Sequence, residues 1–378
     1  MTGDIVQTGA EKCENPRGTE TTLTESAVVL ANGHFRTLDA KTTHGMVRGP
    51  CRYRVVGVID ASCAGGDAGT LLDGRTRGIP VFDSVRSMLA STAPPPDVCV
   101  VGIATSGGRL PPGLRDDLVD AADAGMTLVS GMHQLLADDP ELAEITRRRG
   151  GRIIDFRRPR QSGQLRFWSG DVLGLQTPRV PVLGTDCVLG KRTTCCLLRE
   201  AFLRSGIRAE MVYTGQTGWL QGMPYGFILD ATPNDFVCGE LEGAILECER
   251  ESRPEIILIE GQSALRNPSG PCGAELILAA GARGVVLQHA PAREYFDELE
   301  KLGCRIPPLA EEVELIRLLG AEVWAVTLNE QGLSPDEAEA ARSRIEAELG
   351  RPVFLPLRDD LTQLAEVISE RVRAQGPR

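Results

Sequence analysis

The stretch Val180-Pro-Val-Leu-Gly-Thr-Asp-Cys-Val-Leu-Gly-Lys-Arg-Thr-Thr194 constrains this chain most. An apolar run ends at Gly184, a loop follows, and Gly190-Lys191 opens a segment that reads as a helix. Such a handover from buried strand to glycine-rich loop turns backbone N–H groups, a lysine and a positive helix end toward one anion. The pattern departs from G-x-x-x-x-G-K-[ST] in two ways. Its loop is one residue longer, and Arg192 stands between the lysine and Thr193-Thr194.

A chain of 378 residues is long enough for two domains. Hydrophobic strand-like runs alternating with helix-like segments predict an α/β fold of two doubly wound parallel-sheet domains. The N-terminal one is expected to be Rossmann-like and the C-terminal one phosphate-loop NTPase-like. Residues 1–24 are polar and are expected to be disordered. The Rossmann-like domain is assigned to 25–157, an Arg/Pro/Gln/Gly-rich linker to 158–179 and the phosphate-loop domain to 180–378.

The formal charge of −11 argues against a nucleic-acid partner, because phosphate backbones select basic faces. Eleven cysteines occur, but without any CxxC pair, and several sit in apolar or helical stretches. With no apolar run of bilayer length and no signal-peptide layout, a reduced, cytoplasmic protein without a membrane partner is expected. Gln288 and apolar helix faces leave homo-oligomerisation open.

In the first domain, residues 54–60 read as a buried strand delivering Asp60 toward a ligand. The glycines at 65, 66 and 69 do not form a G-x-G-x-x-G that opens a helix, and residues through Gly78 read as loop. Lys41, Thr42 and Thr43 read as a solvated loop that could line a site from a second direction. The turn after strand 97–104 could hold an anion with Arg109, and the strand at 127–131 runs into His133.

Open parallel sheets bind ligands beyond the carboxyl ends of their strands. Those ends in the second domain carry Gly184 to Thr194, Gln216 and Thr217, Glu260 and Gln262, His289 and Asn329. Glu260 follows four apolar residues, where a phosphate-loop fold places a carboxylate that holds a metal or orients its waters.

Gly184-Thr-Asp-Cys-Val-Leu-Gly-Lys191, with Ile-Glu260-Gly and Thr-Leu-Asn329, resembles the dethiobiotin synthetase branch of phosphate-loop proteins. That resemblance implies ATP with Mg²⁺, a metal held by Asp186 and Glu260, and adenine read by Asn329. A wider resemblance covers the chain from about Ala31. It is carried by Ala31-Asn-Gly33, Lys41-Thr42, Ser106-Gly-Gly-Arg-Leu-Pro111, Ser130-Gly-Met-His133, Gly184-Thr-Asp-Cys187, Gly190-Lys191, Gly215-Gln-Thr-Gly218, Asp235-Phe-Val237, Glu242, Glu260-Gly-Gln262, His289 and Arg293. These motifs are similar to those of the family once known only as a domain of unknown function and now named for D-glutamate N-acetyltransferase. The resemblance implies acetyl-CoA as donor and an amino-acid amine as acceptor. Where that family has a histidine, this chain has Asn267.

Two chemistries therefore stand. In an N-acyltransferase, Glu260, His289 or Asp186 would serve catalysis. Gly184, Thr185, Gly190, Lys191, Arg192, Thr193, Thr194 and Asn329 would hold the CoA, and no metal is needed. Arg109, His133, Gln216, Thr217, Gln262 and Arg293 would surround the small amino acid or amine. In an ATP-dependent kinase or ligase acting on a small carboxylate, Thr193, Asp186 and Glu260 would hold Mg²⁺ and Lys191 the γ-phosphate. A non-catalytic metabolite sensor is the remaining reading.

Overall fold

The computed structural model describes residues 25–376; the tail expected to be disordered lies outside the described residues. Six strands form the first sheet: β1 (Ser26–Leu30), β2 (Arg54–Ile59), β3 (Val81–Phe82), β4 (Val98–Val101), β5 (Thr127–Ser130) and β6 (Ile153–Asp155). Their order is β3-β2-β1-β4-β5-β6, every pair is parallel, and this is the Rossmann order. Strands β1 and β4 are buried throughout, as expected of runs covered on both faces.

The second sheet comprises β7 (Arg179–Gly184), β8 (Ala209–Tyr213), β9 (Tyr225–Gly226), β10 (Ile256–Glu260), β11 (Gly284–His289), β12 (Glu322–Leu328) and β13 (Val353–Phe354). Its order is β13-β12-β11-β7-β10-β8-β9, again with all pairs parallel. The strand that feeds the phosphate loop is thus central, with Glu260 of β10 in register with Val182 and Gln288 of β11 with Gly184. Helices cover both faces. Among them are Lys191–Arg204, Asn234–Ser252 and Pro335–Leu349, the last closed by a Ser334–Glu337 capping box.

Several expectations are corrected. Ala68–Asp73 is a helix, not loop, because the Asp67 carboxylate caps its first turn. Lys41–Arg48 is also a helix, with Thr42 and Thr43 buried. Helix Leu309–Leu318 has no counterpart in the sequence reading. Asp60 is taken up by protein groups. It is fully buried and accepts from the Phe35 and Ser62 amides and the Ser62 hydroxyl. Gln288 cannot serve a subunit contact, since it lies in the core accepting from the Thr194 and Thr327 hydroxyls.

The 158–179 segment is docked on the second domain. Glu240 accepts from the Arg166 amide, Glu242 from those of Ser169 and Val172, and Trp168 donates its indole N–H to the Ala279 carbonyl. Arg179 already belongs to β7. The described cysteines are all free thiols. Among the described residues, no helix is long and apolar enough to cross a membrane.

The two sheets face each other with their carboxyl edges. Short helix Gln216–Leu220, just beyond β8, packs against helix Lys41–Arg48 of the first domain. Gln216 Nε2 donates to Thr42 Oγ1 at 3.2 Å, and Gln221 Nε2 to the Gly45 carbonyl at 3.2 Å. Trp219 stacks on Phe156 at 4.8 Å, with the Arg52 guanidinium 4.2 Å from its ring centre. Arg157 and Asp230 pair across the same boundary.

Candidate active site at the phosphate loop

The loop is built around the Lys191 stem. A Cβ on Gly184 would stand 2.9 Å from Lys191 Cδ, and one on Gly261 would stand 2.2 Å from the Val182 carbonyl and 3.1 Å from the same Cδ. Glycine at both positions leaves the channel through which the stem passes. The ammonium donates to the carbonyls of Asp186 at 2.6 Å and Ser263 at 2.8 Å, and the residue is only 6% exposed. Burial pushes its pKa down, opposed by the charges of Cys187 and Asp186. Gly190 adopts φ +93°, a left-handed conformation suited to glycine, and lets the chain enter the helix. The first N–H groups of that helix have no intrahelical acceptor and complete an anion cradle.

Three side chains expected to face a ligand brace this loop instead. Asp186 is fully buried: Oδ2 accepts from Arg293 Nη1 and the Asp297 amide, each at 2.8 Å, and Oδ1 from Asn267 Nδ2 at 3.2 Å. That occupation removes it from catalytic or metal-binding duty in this conformation. Arg293 Nη1 also donates to the Cys187 carbonyl at 2.8 Å, so this nitrogen is spent on the loop. Asn329 donates to the Leu189 carbonyl at 3.0 Å and accepts from the Gln331 amide, so both ends of its amide are engaged.

Thr194 is likewise turned inward, its hydroxyl on Gln288 Oε1 at 2.7 Å. Thr193 is partly exposed on the first turn. The Thr185 hydroxyl meets His289 Nδ1 at 3.0 Å. Burial, assisted by the Arg344 charge, holds the His289 pKa down at about 4, so the ring is neutral near pH 7. A neutral imidazole fixed to a threonine orients that hydroxyl better than it abstracts protons.

Glu260 ends β10 as a buried carboxylate. It is 5% exposed, and Oε2 accepts from the amides of Thr214 at 2.9 Å and Gly215 at 3.2 Å. Burial raises its pKa; the Arg192 charge and these amides work the other way. Gln262 donates to Thr214 Oγ1, and a Cβ on Gly215 would meet Gln262 Nε2 at 2.7 Å. Thr217 approaches Thr42, hydroxyl to hydroxyl, at 3.4 Å.

The first domain brings Lys41 close enough for its charge to act on Lys191 and Asp297. Gly131, just past β5, lies so near Gln216 that a Cβ there would be 2.2 Å from Oε1. His133 and Arg109 are exposed at neighbouring strand ends, joined through Gly108, whose Cβ would sit 2.6 Å from His133 Cδ2. Neither touches the phosphate loop among the described residues. The role of Lys41–Arg48 was only partly legible: Lys41-Thr42 stood out as a motif, but its folding into an interface helix did not.

A metal set of Thr193, Asp186 and Glu260 does not fit this arrangement. Both Asp186 oxygens are engaged by Arg293, Asn267 and the Asp297 amide, which leaves that carboxylate without a lone oxygen turned to the loop.

A Rossmann-like domain abutting a phosphate-loop domain, with polar residues at the strand ends, defines a two-domain α/β protein. The chain belongs to the DUF1611 family. Residues 166–365 match its "domain of unknown function (DUF1611_C) P-loop domain" and residues 61–159 its "DUF1611_N Rossmann-like domain". A DUF1611 family protein from Anabaena variabilis, 29% identical, superposes with a TM-score of 0.82 over 92% of this chain and 99% of its own. Two relatives are named D-glutamate N-acetyltransferase. The one from Tritonibacter scottomollicae is 29% identical over 71% of this chain and 80% of its own length. The one from a Pseudoalteromonas species is 29% identical over 70% and 79%.

Proposed function

We propose that this protein is an N-acyltransferase that moves an acetyl group from acetyl-CoA to the amine of an amino acid, at the cleft between its two domains. The observation that carries this reading is Glu260, a buried carboxylate with a raised pKa placed in the field of Arg192 and Lys191 of the phosphate loop. The names of the two relatives support the reaction class, and D-glutamate is the acceptor those names give.

An amino-acid amine is protonated in neutral water and must lose a proton before it attacks a thioester. Glu260 takes that proton, its raised pKa matching it better to the task than an ordinary carboxylate. A bond then forms from the amine nitrogen to the carbonyl carbon as the carbon–sulfur bond breaks. The sulfur takes the proton held by Glu260 and leaves as thiol, and the second amine proton passes to the regenerated carboxylate and on to solvent. Lys191, Arg192 and the first helical N–H groups hold the CoA phosphates. Arg109 and Lys41, exposed on the first domain, offer cations to the acceptor carboxylate.

The test is mass spectrometry of products formed from acetyl-CoA and a panel of D- and L-amino acids. An acetyl-CoA-dependent mass gain on an amino acid is expected. Turnover that instead required ATP and a carboxylate substrate would overturn the reading.

A further inference from the structure

Arg192 directly follows Lys191, at the position where a phosphate-loop sequence carries the Ser or Thr that ligates Mg²⁺. Its side chain is partly buried, yet it forms no hydrogen bond or ion pair with any described residue, and its Nε is buried without a partner. The guanidinium reaches across to the first domain: a Cβ on Gly45 would stand 3.1 Å from Nη2. Its charge acts on Glu260 from one side and on Arg48 from the other. Burying part of a guanidinium with no hydrogen-bond partner, the Glu260 carboxylate acting on it through its charge alone, is costly. A site that keeps one there is arranged for an anion that arrives later.

Two of the other groups that could bind a divalent ion are engaged. Asp186 is held by Arg293, Asn267 and the Asp297 amide, and Thr194 is tied to Gln288. Glu260 already has a permanent cation in its field. A second, mobile cation at this place would be repelled by Arg192, even with the partly exposed Thr193 hydroxyl beside it.

Resting on the reading that the loop holds a diphosphate, we infer that Arg192 stands in for the divalent cation of a phosphate-loop site, so that this protein grips its diphosphate ester without metal. Because the guanidinium lies against Gly45, the same contact makes the grip depend on the two domains being closed. Specificity follows from this: the site favours a diphosphate that needs no metal to react, such as that of CoA, over one whose transfer needs Mg²⁺.

The test is calorimetric titration of the full chain with CoA and, separately, ADP, in EDTA and in Mg²⁺. The wild type is expected to bind CoA with the same affinity in both buffers, within about twofold. Arg192→Thr is expected to weaken CoA binding in EDTA by about tenfold or more and to recover part of it in Mg²⁺, while Arg192→Lys retains most of it. Wild-type binding that appears only with Mg²⁺ would overturn the inference while leaving the loop as the diphosphate site. Arg192→Thr binding as tightly as wild type in EDTA would overturn it as well. If neither CoA nor ADP binds the wild type in either buffer, the underlying reading fails together with the inference. The wild-type comparison involves no substitution, so it decides even if a variant folds poorly.

Discussion

Asp186 and Arg293 form a buried ion pair, 2.8 Å from Oδ2 to Nη1, that ties the phosphate loop to the segment following β11. Both residues come from polar strand ends, yet they face one another. Removing the arginine leaves a carboxylate with no exposure and one partner fewer. Arg293→Ala should therefore destabilise the fold by about 3 kcal/mol or more in urea unfolding. A loss below about 1 kcal/mol, the range of a surface pair, would show that the brace is dispensable.

Gly45 lies where the two domains touch closely. A Cβ there would stand 2.6 Å from Thr217 Cγ2 as well as near Arg192. Gly45→Ala should force a shift at the interface, costing about 1–3 kcal/mol, and should weaken CoA binding more than the distant Gly163→Ala, which meets nothing within 4 Å. Equal effects of the two would refute a tight interdomain site.

His289 sets a pH dependence. Its folded pKa, about 4, lies below the ordinary 6.5, so the fold binds the proton less readily than the unfolded chain does. Its contribution is complete above pH 6.5 and is lost as pH falls toward 4. Measured as the difference in unfolding free energy between wild type and His289→Asn, that slope should appear between those values. A difference that stays flat with pH would contradict it.

Glu260 runs the other way. Its folded pKa is raised above 4.5, chiefly by burial. Wild type should therefore lose stability relative to Glu260→Gln as pH rises from 4.5 through the folded pKa. In the proposed reaction the same deprotonation switches catalysis on, so kcat/KM should rise along a limb lying above pH 4.5. Glu260→Gln should lower kcat by about 10²–10⁴-fold, as stopped thiol-release assays would read. A variant within a few-fold of wild type would remove Glu260 as base.

Much of this architecture was legible in the chain because buried parallel strands are continuous apolar runs. The strands read at 54–60 and 127–131 occur as Arg54–Ile59 and Thr127–Ser130. Helix Lys41–Arg48 was not, since Lys-Thr-Thr-His-Gly is locally polar and its burial comes from Gln216 and Thr217, far along the chain. The same long-range origin hid the division of labour at the site. Asp186, Arg293 and Asn329 have the chemistry of ligand contacts, and only their mutual distances show that they hold the loop. Local sequence marks a polar strand end but not whether its partner is a substrate or another side chain.

The most direct measurement is calorimetric titration of acetyl-CoA into wild type and Lys191→Met, a variant that keeps an apolar stem between Gly184 and Gly261 while removing the charge. Saturable binding to wild type, weakened by about tenfold or more in the variant, is the outcome expected if the loop grips the CoA diphosphate. Equal affinity in both proteins would place acetyl-CoA elsewhere and contradict the account at its centre.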